Sequence, residues 1–351
     1  MNYLKLKQKI YEAIERNPLD RSAYEEMFAV CREYEKIDFQ TAHAWNHELR
    51  NRISWGLRMT VCSQKFDEAR EFDDLMFRSL LFGAQHFFDD YLQAVEYGKP
   101  LDKKFYQPRR HYLRRYVDAY QEILDGKLDF LSISMPKRAG KSQLGINFTN
   151  MLSGKYPDRA TLMEGTGDDL VKSFYLGCLE YLTLPSDYHF YDIFPESKLV
   201  QTNADTKIIN LLHKSRFPTV MCRSIDARQV GLSEATNLLY LDDCVEGREE
   251  AKNRQRLDDK WEVISGDIIG RAIEGKEAMS LVMFEINVYS NKSEGKKTEC
   301  KSIAKAIDEK MFSMNFRRLA FTPVPNLEDA TIYRIIARYS AATDGENFYR
   351  R

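Results

Sequence analysis

The chain has 351 residues, with 52 Lys and Arg against 53 Asp and Glu and a formal net charge of −1. Apolar residues make up 43% and charged residues 30%, the balance of a globular chain, and near-neutrality excludes binding of nucleic acid through overall charge. No run approaches the roughly 20 apolar residues of a membrane span, and Met1-Asn2-Tyr3-Leu4-Lys5 does not begin a signal peptide. The six cysteines (31, 62, 178, 222, 244 and 300) are scattered, without a Cys-x-x-Cys pair. That pattern fits reduced thiols in a cytoplasm and argues against disulfides and a zinc site. The length suits two domains, or one large α/β domain with an added helical part.

Residues 1 to 97 read as all-helical, interrupted at Asn17-Pro18 and around Ile37-Asp38. Between 73 and 97, Met76, Leu80, Phe87 and Tyr91 recur at helical spacing, and Gly98-Lys99-Pro100 ends the helix. Asp74 and the Asp89-Asp90 pair are expected to face solvent on it, and His43 and His47 to be ordinary helix residues. Residues 103–115 hold Lys103, Lys104, Arg109, Arg110, His111, Arg114 and Arg115, with Tyr106, Tyr112 and Tyr116 among or beside them. Such a cluster suits DNA phosphates or a nucleotide base, and equally a solvated helix face. A helix over 110–124 follows. Strands and helices then alternate: strand 129–134, a loop and its helix, strand 160–164, helix 168–182, strands 207–212 and 219–223, a strand ending at 243, a polar helix around 249–270 and strand 279–286. The alternation predicts an α/β fold with a mainly parallel sheet flanked by helices.

Residues 135–142 read Met-Pro-Lys-Arg-Ala-Gly-Lys-Ser, after the short apolar stretch Phe130-Leu131-Ser132-Ile133-Ser134 and before a helical stretch over 143–152. A strand, a tight Gly turn and Lys-Ser at a helix start form the layout of a phosphate-binding loop. Backbone N–H groups at the helix start and the helix dipole both favour an anion there. Lys141 is the candidate to reach the β- and γ-phosphates of a nucleotide, and the Ser142 hydroxyl to ligate Mg²⁺. Met135 stands where the usual motif has its first Gly. A polar turn between strand and helix is the plainer alternative.

About 100 residues later comes Asn237-Leu238-Leu239-Tyr240-Leu241-Asp242-Asp243. Four apolar residues in a row suggest a strand buried on both faces of a parallel sheet. Its interior cannot hide two carboxylates, so Asp242 and Asp243 belong at its C-terminal end, where open α/β sheets bind ligands. Asp242 is the candidate Mg²⁺ holder and Asp243 the candidate to orient or deprotonate an attacking water. An acidic turn after a core strand is the alternative for each motif alone; their pairing favours the nucleotide reading.

Residues 241–251, Leu-Asp-Asp-Cys-Val-Glu-Gly-Arg-Glu-Glu-Ala, together with the loop at 135–142, resemble the large terminase subunits of tailed bacteriophages, the motors that package viral DNA. That family carries a phosphate loop of the form Pro-Pro-Arg-x-Gly-Lys-Ser, often without the first Gly. Leu257-Asp258-Asp259-Lys260-Trp261 and Gly270-Arg271 are similar to the family too. The resemblance spans about residues 105–275. It implies a P-loop ATPase core over 105–300, a helical region over 1–104 and an extension or linker over 301–351. It implies ATP and Mg²⁺ as cofactors and hydrolysis coupled to translocation of dsDNA into a procapsid, in the cytoplasm of a host cell and away from membrane. It also implies a portal protein, a small terminase subunit and a homo-oligomeric ring as partners. By resemblance, Tyr106, Gln107 and Arg109 lie where the family contacts adenine, and Arg138 lies near the γ-phosphate with Gly140, Lys141 and Ser142. Three features depart from the family. Val230-Gly231-Leu232 replaces a Thr-Gly-Arg, leaving Arg228 or Arg271 as substitutes. Asn287 stands in place of a Thr-Arg coupling motif. The residues after the core are too few for an RNase H-like nuclease, so Asp308, Asp329 and Asp344 are expected to be surface charges and no nuclease activity is expected. Two other readings stay open: a helicase-like nucleic-acid-dependent ATPase, and a degenerate P-loop interaction protein.

Overall fold

The structure, a computed structural model, describes residues 2–136, 138–225, 234–245, 252–264, 269, 280–325, 331–343 and 348–349. Lys137, Arg228, Val230-Gly231-Leu232, Glu249-Glu250-Ala251, Gly270-Arg271, Asp329 and Asp344 lie outside the described residues. The chain divides into two compact units, Met1–Glu249 and Glu250–Arg351, a boundary inside the segment expected to form the ATPase core.

The first unit begins with helices α1 (Tyr3–Arg16), α2 (Arg21–Tyr34), α3 (Phe39–Cys62) and α4 (Phe66–Ala84). Side chains of Asn2, Asp20 and Asp38 cap the first three, accepting from the backbone N–H of Lys5, Ser22 and Thr41. Their apolar stripes meet in a core containing Ile10, Ile14, Met27, Leu49, Ile53 and Phe72. The helix predicted over 73–97 is broken: α4 stops at Ala84, and a short α5 (Phe88–Ala94) follows.

Asp89 and Asp90, expected to face solvent, are buried. Burial is tolerated because each carboxylate is neutralised on its own side of α5. Asp90 accepts from Arg50 Nη2 at 2.9 Å and lies 2.8 Å from His43 Nε2. Asp89 accepts from Arg110 Nε at 2.9 Å and Nη2 at 2.8 Å, pairs with Arg114 at 2.8 Å, and accepts from the Tyr106 hydroxyl. Burial opposes ionisation of Asp90, yet the hydrogen bonds of His43 and Arg50 and their charges hold its carboxyl well below the usual range. A cavity of about 80 Å³ lined by His43, His47, Asp89 and Asp90 lies beside this network.

Helix α6 (Arg110–Leu124) leads into the sheet layer: α7 (Lys141–Lys155), β1 (Thr161–Gly165), α8 (Asp168–Thr183), α9 (Phe190–Ile193), β2 (Leu199–Asn203), β3 (Ile208–Leu211), β4 (Val220–Ser224) and β5 (Leu238–Asp242). Strand order is β2-β3-β4-β1-β5. β1 is parallel to β4 and β5, whereas β3 is antiparallel to both β4 and β2, so β3 alone runs against the rest. Phe88, Tyr91, Leu113, Phe148, Met163 and Tyr175 share one core, which Leu80 and Ala84 at the end of α4 also join, so α5 and the end of α4 are continuous with the sheet layer. The predicted strand 129–134 joins no ladder among the described residues. Leu131, Ile133 and the following Met135 pack on the core, while Ser132 and Ser134 are exposed. β5, expected to be buried on both faces, ends the strand order and is half-buried up to Leu241.

The second unit holds α10 (Arg254–Glu262) and an antiparallel sheet of β6 (Ser280–Ser290), β7 (Arg317–Pro325), β8 (Tyr333–Thr343) and β9 (Phe348–Tyr349). β8 lies between β6 and β7. Helix α11 (Lys296–Ser313) packs Cys300 and Ala304 against Val288 and Ile335, and Met311 against Ala337 and Tyr339. Within the segment expected as an extension or linker, residues 301–313, 317–325 and 333–343 thus belong to a helix and a sheet that share a core. Asp308 is engaged rather than free, pairing with Arg318 at 2.8 Å and accepting from Tyr339 at 3.2 Å.

Candidate functional site

The C-terminal end of β5 and the N-terminal end of α7 meet. β5 lies in register with β1, so Gly165 faces Asp242. A Cβ on Gly165 would come within 2.8 Å of the Asp242 carbonyl oxygen, so only glycine lets the two strands end this close. Gly140 supplies the turn into α7 with φ +104, a conformation that glycine adopts without strain. No side chain caps α7, and its first backbone N–H groups have no intrahelical acceptor.

Four candidate side chains converge here. Ser142 Oγ donates to Asp242 Oδ2 at 2.7 Å. Lys141 Nζ lies 2.7 Å from Asp242 Oδ1 and donates to Asp243 Oδ1 at 2.6 Å. Asp242 is only 1% exposed, while the Asp243 side chain is open to solvent. Burial alone would lower the Lys141 pKa, but its contacts with Asp242 and Asp243 outweigh that and raise it; the ammonium stays charged. Two carboxylates and one ammonium leave the cluster net negative.

Asp243 has φ +42, a left-handed backbone uncommon for a non-glycine residue. Its carbonyl accepts from Thr166 Oγ1 at 2.6 Å, just beyond β1, and its carboxylate is held by Lys141. Arg138 is also left-handed, at φ +63; it is exposed and forms no ion pair with a described residue.

Of the three residues expected at a base, Tyr106 is fully buried, with its hydroxyl committed to Asp89. Gln107 is exposed and donates to Gln93 at 3.2 Å. Arg109 donates to the Phe105 carbonyl at 2.9 Å and sits 5.7 Å from the Phe105 ring centre. The neighbour that reaches the loop is Phe105: a Cβ on Gly140 would meet its ring at 2.8 Å. The buried Glu96 carboxylate fixes this segment by accepting from Phe105 N at 2.9 Å and Tyr106 N at 3.2 Å. Asn287 belongs to the second unit, where its side-chain oxygen accepts from Arg334 at 3.0 and 2.8 Å.

Sequence reasoning missed Phe105 and Thr166, and no local pattern marks either. Among the described residues no group of three or more His, Cys, Asp or Glu side chains is placed to hold a metal. A cation here would have one hydroxyl, one carboxylate, phosphate oxygens and water as ligands, the oxygen-rich and water-rich set that Mg²⁺ favours. The net-negative pair of hydroxyl and buried carboxylate fits that ion, and the uncapped helix start fits a phosphate. No helix among the described residues is long and apolar enough to cross a membrane. Comparison with protein-family models, with curated proteins and with solved structures finds no match for this chain.

Proposed function

We propose that the chain is a P-loop ATPase that hydrolyses ATP in the presence of Mg²⁺, with the ATPase portion of a phage DNA-packaging motor as its biological setting. The observation that carries the nucleotide reading is the meeting of Lys141-Ser142 with Asp242-Asp243 at one end of the sheet. The packaging-motor setting, with dsDNA, a portal protein, a small terminase subunit and a homo-oligomeric ring as partners in a host cytoplasm, rests on the similarity of residues 135–142 and 241–251 to terminases.

In this reading the triphosphate lies over Gly140 and the first turn of α7, and Lys141 leaves its carboxylates for the β- and γ-phosphates. Ser142 and Asp242 hold Mg²⁺, which neutralises phosphate charge when bound. Asp243 orients a water and accepts its proton as the oxygen attacks the γ-phosphorus, and the bond to the β–γ bridging oxygen breaks, releasing ADP. Its exposed carboxylate and constrained backbone suit that role. Arg138 has its guanidinium available for the γ-phosphate.

The experiment is ATP binding and hydrolysis by the full chain and by Lys141→Ala, with and without dsDNA and at high protein concentration. The expected result is Mg²⁺-dependent binding and turnover that Lys141→Ala abolishes. Binding without turnover in every condition supports the degenerate interaction protein instead. Absence of both overturns the nucleotide reading.

A further inference from the structure

Ser142 and Asp242 are not the only pair that joins α7 to β5. Three residues along the helix and two back along the strand, Gly145 meets Tyr240. A Cβ on Gly145 would lie 2.3 Å from Tyr240 Cζ and 2.3 Å from its hydroxyl oxygen, far inside van der Waals contact. The end of the ring therefore rests on bare helix backbone. It has little room to swing away. Its ring centre is 5.1 Å from that of Phe174 on α8, and its hydroxyl lies close to Tyr120 on α6. Tyr120 in turn packs on Phe148 of α7, with ring centres 4.6 Å apart.

The spacing gives this contact its meaning. Residues two apart on a strand point to one side of the sheet, so Tyr240 and Asp242 both face α7. Residues three apart on a helix share a face, so Ser142 and Gly145 both face β5. One contact alone would let the helix pivot or slide along the strand. Two contacts on matching faces hold both its height and its rotation. We infer that Gly145 and Tyr240 are positioning residues that set the distance between the Ser142 hydroxyl and the Asp242 carboxylate. Neither touches the reacting atoms. The inference rests on the nucleotide reading above and adds to it the device that fixes its cation-holding pair.

The test uses the full chain with Gly145→Ala, and Tyr240→Phe as a milder variant that keeps the ring and removes its hydroxyl. ATP affinity is measured with Mg²⁺ and with EDTA, kcat and KM are separated, and the nucleotide-induced rise in unfolding temperature is recorded. A displacement near 1 Å at such a site costs about a hundredfold in rate, so Gly145→Ala is expected to lower kcat by that order. It should also lose the Mg²⁺-dependent part of the affinity and of the thermal shift, with affinity in EDTA unchanged. Tyr240→Phe removes the oxygen that rests on Gly145 and is expected to reduce the Mg²⁺-dependent affinity by up to about tenfold. If both variants match the unaltered chain, or lose affinity equally with Mg²⁺ and with EDTA, the pair is packing only and the inference fails. If Gly145→Ala does not fold, Tyr240→Phe decides by the same criteria. No nucleotide affinity in the unaltered chain removes the nucleotide reading itself, and this inference with it.

Discussion

Ser142 and Asp242 stand 100 positions apart in the chain, yet the hydroxyl of one donates to the carboxylate of the other at 2.7 Å. Ser142→Ala leaves the buried Asp242 carboxylate without that donor. The expected result is a fall of about tenfold or more in Mg²⁺-dependent nucleotide affinity, the cost of roughly one charge-assisted hydrogen bond or more. Calorimetric titration with and without Mg²⁺ checks it, and an unchanged Mg²⁺ dependence would remove Ser142 from the site.

Asp243 combines an exposed carboxylate with a left-handed backbone held by Thr166. Asp243→Asn keeps the shape and removes the base. Single-turnover hydrolysis should drop by about 10²–10⁴-fold while nucleotide affinity persists. Thr166→Val should lower turnover in the same direction and by less. Hydrolysis by Asp243→Asn at the original rate rules out the base role.

The Asp90 carboxylate sits between His43 and Arg50. Replacing it by Asn leaves Arg50 buried without its counter-charge, which costs about 3–5 kcal/mol. The effect depends on pH. The ordinary Asp pKa is 3.8, and the folded value lies below it. The stabilisation by Asp90 is therefore fully present above 3.8 and is lost as pH falls toward the lower folded value. Denaturant midpoints of both proteins from neutral to acid pH should converge at the acid end; a constant difference would contradict the linkage.

The basic cluster at 103–115 separates into two groups. Arg110 and Arg114 are committed to Asp89, whereas Lys103 is exposed and Lys104 half-buried near the Tyr97 ring. Arg110→Gln should act mainly on stability. Lys103→Gln with Lys104→Gln should weaken dsDNA binding and reduce its salt slope by about 2, one for each phosphate no longer neutralised. DNA titrations at several salt concentrations test this, and an unchanged slope takes the two lysines out of any DNA interface.

In the second unit, Ile335 on β8 is fully buried in the core that α11 covers. Ile335→Ala should destabilise this sheet by about 2–5 kcal/mol. Hydrogen exchange along β6 and β8 reads the loss directly; unchanged protection there would contradict the packing.

The strands β3, β4 and β5 and the helices α6, α7 and α8 were legible because their apolar residues are contiguous or recur with a clear period. β2, Leu199–Asn203, was not, because Gln201, Thr202 and Asn203 give it no apolar run. The stretch at 129–134 misled in the opposite sense: Leu131 and Ile133 alternate like a strand, but only one face meets the core and no ladder forms among the described residues. Lys141, Ser142, Asp242 and Asp243, which the structure brings together, stood out in the sequence because the chemistry expected of them is tied to local pattern. Thr166, Phe105, Gly145 and Tyr240 matter through contacts across the chain, and no single-sequence pattern marks such contacts. Asp89 and Asp90 looked like surface charges because the arginines that neutralise them lie up to 40 positions away.

Those two adjacent aspartates have a mechanical consequence. Asp90 fastens α5 to α3, and Asp89 fastens α5 to α6. The short helix acts as a rivet through three layers. A rotation of α3 against α6 would strain the buried Asp90–Arg50 pair on one side of it or the half-buried Asp89–Arg110 pair on the other. The two aspartates together therefore resist sliding of α3 against α6.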